Sequence, residues 1–156
     1  MADFAAELLL TARPSIERLL SAQWAHTGDR EVVCKPNWKF YQQFEDNNAL
    51  LLVIARCDGE PVGYLAAFIY PHPNSTDNLK ADIPTYFVSE GPTRALILSR
   101  MVDFTLEQMV ARGVFKVGIE TSAEHSAGRL WELKGFHIDK IGYSLKLKAL
   151  PEVKYA

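Results

Sequence analysis

The chain has 156 residues, 48% of them hydrophobic and 23% charged, with a formal net charge of −2. That balance suits one folded domain with a real core and excludes a disordered chain. A near-neutral charge with no basic run argues against a nucleic-acid footprint, and no apolar run approaches the ~18 residues that span a bilayer. Cys34 and Cys57 match no metal or redox spacing, and His26, His72, His125 and His137 form no HxxxH pair, so no metal site is expected. The N-terminus has neither the positive region nor the cleavage site of a signal peptide. The expectation is a soluble, cytoplasmic protein with both cysteines as buried thiols.

In chain order, Glu7 to Thr11 reads as a first strand, with a helix from Asp3 as the alternative. Pro14 to Trp24 reads as a helix with Pro14 in its first turn and Ile16, Leu19, Leu20 and Trp24 on one face. His26 to Arg30 breaks it. Pro36-Asn37 starts a second short helix, Trp38 to about Asp46, with its aromatics inward. Ala49 to Arg56 is a nearly continuous apolar run, which suits a strand covered on both faces. Cys57 to Pro61 is a turn and Val62 to Tyr70 the returning strand of a hairpin. Pro71 to Asn78 is a polar loop, and Lys80 to Val88 the next strand.

The most informative stretch follows. Tyr86-Phe-Val88 ends that strand, Gly91-Pro92 marks a turn, and a helix starts at Pro92 or Thr93. Leu98, Val102, Leu106 and Met109 recur at helical spacing, and Gly113 closes the helix as a left-handed cap. A strand feeding a helix through a tight turn is a natural anion site, because backbone N–H groups and the helix dipole converge there. Such loops normally carry several glycines; this one carries Gly91 alone. Val114 to Thr121 is then a strand, Ser126 to Lys134 a helix ended by Gly135, and Phe136 to Ile141 and Tyr143 to Leu147 the last strands. The fold class is a mixed α/β, mostly antiparallel sheet with helices on both faces, in a single domain over 1–156.

Four segments carry a resemblance. They are Asp58-Gly-Glu-Pro-Val-Gly-Tyr-Leu65, Tyr86-Phe-Val88 with the helix to Gly113, Ala127-Gly-Arg-Leu-Trp-Glu-Leu-Lys-Gly-Phe136, and Ile141-Gly-Tyr-Ser-Leu-Lys-Leu147. In that order and spacing they resemble the GNAT superfamily of N-acetyltransferases over nearly the whole chain. Pro36-Asn-Trp38 and Tyr70-Pro-His-Pro73 look closest to small GNAT-like proteins of tailed bacteriophages. The resemblance implies acetyl-CoA as cofactor, with Phe87, Val88, Gly91, Thr93 and Arg94 at its binding strand and loop. It also implies a general base, for which Glu90, Asp82 and Glu120 are candidates, and a general acid, for which Tyr143 is one.

Three positions depart from that family. Its loop reads roughly Arg/Gln-x-x-Gly-x-Gly/Ala, and the matching residues in this chain run Thr93-Arg94-Ala95-Leu96-Ile97-Leu98. Bulky Leu96 and Leu98 in place of glycines obstruct a diphosphate. Losing two charge-assisted hydrogen bonds, each worth about 1.5–3 kcal/mol, weakens binding roughly 10²–10⁴-fold. Trp131 stands where the family often has a Tyr that protonates the leaving thiolate, and an indole is no acid near neutral pH. Pro84 removes a backbone donor from the strand that faces the cofactor. Arg94 or Arg100 offers partial compensation by pairing with a phosphate. Two expectations follow. One is a degenerate GNAT-fold protein that binds another protein, of a host or a virion, from the host cytoplasm or inside the particle. The other is an active acetyl-CoA-dependent N-acetyltransferase of a small-molecule or protein amine. A homo-oligomer is compatible with both.

Overall fold

The structure, a computed structural model, describes residues 1–27, 34–121 and 127–147. Among the described residues, five strands form one sheet in the order β1 (Ala2–Glu7), β2 (Leu50–Cys57), β3 (Glu60–Pro71), β4 (Leu79–Val88) and β5 (Val114–Ile119). All neighbours are antiparallel except β4 and β5, which run parallel around the helix that joins them. The helices that cover it among the described residues are α1 (Leu9–Thr27), α2 (Trp38–Asp46), α3 (Arg94–Ala111) and α4 (Gly128–Leu133).

The continuous apolar run of β2 is explained by the two cores it serves. Leu51, Val53 and Ala55 pack with Met101, Val102 and Met109 of α3 and Trp131 of α4. Leu50, Leu52 and Ile54 pack with Leu9, Ala12, Ile16 and Leu19 of α1. Successive strand side chains alternate between faces, so a strand buried on both sides is apolar at every position.

The first strand lies earlier than expected, at Ala2–Glu7, where it pairs in register with β2 from Ala2↔Cys57 to Glu7↔Leu52. Leu8, Leu9 and Leu10 are not strand residues. Leu9 is buried while Leu8 and Leu10 are exposed, and Leu9, Ala12, Ile16 and Leu19 continue with helical spacing. What starts the helix there is distant: the Leu9 N–H donates to Glu45 Oε2 of α2 at 2.6 Å. Pro14 therefore sits inside α1 instead of in its first turn. The carbonyl it leaves without a donor belongs to Leu10, which is exposed to water. An ion pair between Arg56 and Glu7, extended by Arg56 Nη2 donating to Ser15 Oγ at 3.1 Å, ties β1, β2 and α1 together.

The last strands are a second correction. Residues 136–147 have no regular structure, and Tyr143 stands outside any strand. Their alternation of apolar and polar residues is real, but a strand exists only when paired, and among the described residues β5 is the last strand of the sheet. The Asp58-Gly59 turn, α2 and the end of α3 match the sequence reading. Asp58 and Gly59 take φ of 50° and 82°, and Gly113 takes φ of 81°.

Candidate functional site: the parting of the fourth and fifth strands

β4 carries a bulge at its centre. Phe68 pairs with Asp82 and Ala66 with Thr85, so Ile83 and Pro84 together oppose Ala67 alone. The extra residue reverses the alternation: Ala81 and Ile83 face the α3 core before the bulge, and Tyr86 and Val88 face it after. Pro84 falls in the bulge, where a missing N–H costs the ladder nothing. Its place is thus explained by strand geometry, without invoking loss of a site.

At the same point β5 leaves. Its pairing with β4 ends at Ile83↔Ile119. Beyond it, the Ser89 N–H donates to the Val62 carbonyl at 2.8 Å. Alternate residues of an antiparallel strand turn their backbone groups the same way, so Thr85 and Phe87 also face β3. The N–H and C=O of Tyr86 and Val88 then point into the gap that β5 has left. Among the described residues no strand pairs with them.

The gap is flanked by α3 and α4. The Tyr86 ring meets Trp131 edge-on at 5.2 Å, and its hydroxyl lies 3.5 Å from Thr121 Oγ1, which accepts the Ala127 N–H at 3.1 Å. Trp131 is buried, and its Nε1 has no hydrogen-bond partner among the described residues. A buried donor left unmatched costs about 1–3 kcal/mol.

At the start of α3, Thr93 occupies the cap position without a side-chain cap bond. Gly91 lies in open space, with no atom within 4 Å of where a Cβ would stand. Of the two leucines, Leu96 is half-exposed in the first turn, whereas Leu98 packs against the α3 core. Arg94 forms an ion pair with Glu90, whose side chain is 75% exposed. A carboxylate thus sits at the positive end of the helix dipole and engages the guanidinium next to it.

The other candidate residues lie apart. Phe87 is buried in the core under α1 with its backbone turned to β3, so it offers a ligand nothing in the gap, whereas Val88 is buried in the core under α3 and would meet a ligand through its backbone. Asp82 accepts a hydrogen bond from Tyr70 and lies against Gly118 of β5, where an added Cβ would come within 2.7 Å of its Oδ1. That bond is the main cause pushing the Tyr70 phenol up to about 12. Glu120 is exposed just past β5. Tyr143 is 95% exposed on the C-terminal segment.

A polar chain that sequence reasoning missed lies on the opposite face of β4. The Tyr64 hydroxyl donates to Gln23 Oε1, and Gln23 Nε2 donates to Thr85 Oγ1 at 2.9 Å. Burial pushes the Tyr64 phenol up to about 12, so it stays protonated at neutral pH. Beside it is a cavity of about 30 Å³ lined by Ile16, Leu20, Trp38, Tyr41 and Leu52. Cys34 is half-buried, and burial raises its thiol pKa, which leaves it unactivated. The only sequence signal was the period-two series Tyr64, Phe68, Tyr70; Gln23 and Thr85 are joined across 62 positions.

Among the described residues no group of three or more His, Cys, Asp or Glu side chains is placed to hold a metal, and no helix is long and apolar enough to cross a membrane. Comparison with curated proteins finds no match. Solved structures resemble the chain closely in shape. An aminoglycoside acetyltransferase from an uncultured soil metagenomic sample, in complex with sisomicin, aligns with a TM-score of 0.71 at 16% identity, over 95% of this chain and 96% of that one. A ribosomal-protein-alanine N-acetyltransferase from Brucella melitensis biovar Abortus aligns with a TM-score of 0.71 at 19% identity, over 95% and 100%. A transcriptional regulator from Bacillus halodurans aligns with a TM-score of 0.75 at 16% identity, over 94% and 100%. At such identities these likenesses speak for the fold. The sequence model of the Acetyltransferase (GNAT) family matches residues 13–136, and the chain belongs to that family.

Proposed function

We propose that this GNAT-family protein keeps the acetyltransferase scaffold with a weakened acetyl-CoA site, and acts by binding another protein. The observation that carries this reading is the Glu90–Arg94 ion pair at the start of α3. A diphosphate arriving at that helix end meets a carboxylate, and must displace it to gain the guanidinium. The loop offers Gly91 alone for close backbone approach, and half-exposed Leu96 projects from the first turn. Trp131, in place of a phenol, supplies no acid for the leaving thiolate. The resemblance of Pro36-Asn-Trp38 and Tyr70-Pro-His-Pro73 to phage proteins directs the search for the partner to a host cell or a virion.

A second reading, an active N-acetyltransferase, is favoured by one observation. The backbone groups of Tyr86 and Val88 face a gap, with the unmatched Trp131 Nε1 in the adjoining core. There an amine would attack the thioester carbonyl after losing its proton to Asp82, Glu90 or water, and the CoA thiolate would leave.

Calorimetry with acetyl-CoA separates the two. The wild-type chain is expected to bind in the millimolar range or not at all. Glu90→Gln should tighten binding about tenfold, the effect of removing one charge a few ångströms from a diphosphate in water. Micromolar binding by the wild type, with turnover of any amine, would replace the first reading with the second.

A further inference from the structure

The loop that joins β3 to β4 is organised by one imidazole. The His72 backbone N–H donates to the Asn78 carbonyl at 2.8 Å, and the Ser75 N–H donates to the His72 carbonyl at 3.0 Å. Inside that turn the side chain takes part as well: the Asn74 N–H donates to His72 Nδ1 at 3.1 Å. Asn78 Nδ2 donates to Ser75 Oγ at 2.7 Å across the same loop. A side chain that accepts from the backbone two residues on is normally Asn or Asp, in an Asx turn. A histidine in that place adds a condition. Its Nδ1 accepts only while it carries no proton, so the ring is neutral with its proton on Nε2. Histidine is the side chain that ordinarily changes charge between about pH 5 and 8. Once Nδ1 gains a proton, a donor faces the Asn74 N–H and the bond is lost.

The charged ring has a neighbour that favours it. β4 and β5 slip in register between Leu79↔Val114 and Lys80↔Lys116, which leaves Phe115 as the extra residue of a bulge. The Phe115 side chain is exposed, and its ring lies 6.0 Å from that of His72 at an angle of 52°. An aromatic face attracts a cation within about 6 Å of its centre. The charged side chains on the adjoining elements are Asp77 in the loop, Lys80 at the start of β4 and Lys116 of β5, whose ammonium is engaged by Asp139 at 2.6 Å.

We propose that His72 is a proton-operated latch on the β3–β4 loop. Neutral, it holds the turn through Asn74. Protonated, it releases Asn74, turns its charge to Phe115 and lets residues 73–76 open. Pro73 confines the change to the ring and the residues after it, because a residue before proline is kept extended. The latch stands at the opposite end of β4 from Tyr86 and Val88, so the inference is independent of whether acetyl-CoA binds.

Nuclear magnetic resonance of the full chain between about pH 8 and 5, where imidazoles titrate, tests it. The Asn74 amide should move along the same curve as the His72 ring. Its protection against exchange, corrected for the intrinsic rate, should fall roughly tenfold, the scale of one hydrogen bond. His72→Asn supplies an acceptor of similar reach that does not titrate, so its Asn74 amide should keep its protection throughout. Phe115→Leu removes the ring that receives the charge, and its loop should open at a lower pH than that of the wild type. Both positions lie outside the two cores, so either variant keeps the fold. Three results would overturn the proposal. They are an Asn74 amide that ignores the His72 titration, an amide that loses protection equally in His72→Asn, and an opening at the same pH without Phe115.

Discussion

Tyr64 and Tyr70 both have phenols raised to about 12, for different reasons. Burial under α1 does it for Tyr64, and the hydrogen bond to Asp82 does it for Tyr70. An unfolded phenol titrates near 10, so folding favours the protonated form of both. What each contributes to stability is therefore complete below pH about 10 and is lost as pH rises through about 12. Tyr70 is half-buried but its bond to Asp82 is open to solvent, so its share is small. Asp82→Asn removes the charge that holds the Tyr70 proton. In ultraviolet titration, with Tyr70→Phe and Tyr64→Phe to assign the steps, Asp82→Asn should return the Tyr70 step toward 10 and leave the Tyr64 step where it is. If both steps moved together, the two phenols would be coupled through the sheet, and burial and the Asp82 bond would not act as separate causes. The same pair bears on chemistry: an Asp82 already accepting a hydrogen bond from Tyr70 must give up that bond to serve as a base.

At the scale of elements, the parts legible in the sequence were those fixed locally. The Asp58-Gly59 turn, the apolar run of β2, the spacing of Leu98 to Met109 and the cap at Gly113 each carry their cause within a few residues. The strand–loop–helix stretch around Gly91 was legible for the same reason. The start of α1 was not, because its cap comes from Glu45, 36 positions away. Leu8-Leu9-Leu10 looks equally good as strand or helix until that carboxylate is placed. Nor was the polar chain from Tyr64 through Gln23 to Thr85, which joins three elements. The bulge that explains Pro84 depends on register with β3, and register is not written in β4 alone. Glu45→Ala tests the remote cap. It should lower stability by about 0.5–2 kcal/mol in chemical denaturation, the range for losing an N-cap acceptor, with the m-value unchanged. Amides in the first turn of α1 should lose exchange protection first. Unchanged stability would mean that packing of Leu9 and Ala12, and not the carboxylate, sets where the helix begins.

Across the whole molecule, the sheet separates two cores that meet the parting of β4 and β5 from opposite sides. Leu51 and Leu52 are adjacent in sequence, yet Leu51 packs toward α3 and α4, on the side of Trp131 and the gap. Leu52 packs toward α1 and α2, on the side of Tyr64 and its small cavity. Residues in contact usually show coupled mutational effects, whereas those in separate surroundings add within about 0.5 kcal/mol. Leu51→Val and Leu52→Val each delete one buried methylene and should each cost about 1 kcal/mol. If the sheet is a wall, the double variant should cost the sum, measured from denaturant midpoints at constant m-value. A coupling well beyond about 0.5 kcal/mol would show that strain passes through the backbone of β2. In that case a ligand seated in the gap on the α3 side would be felt at the Gln23–Thr85 chain on the other. Additivity would instead mean that the two sides can diverge separately. The α3 side could then lose affinity for a diphosphate while the α1 side stayed intact, as a site weakened by the Glu90–Arg94 pair requires.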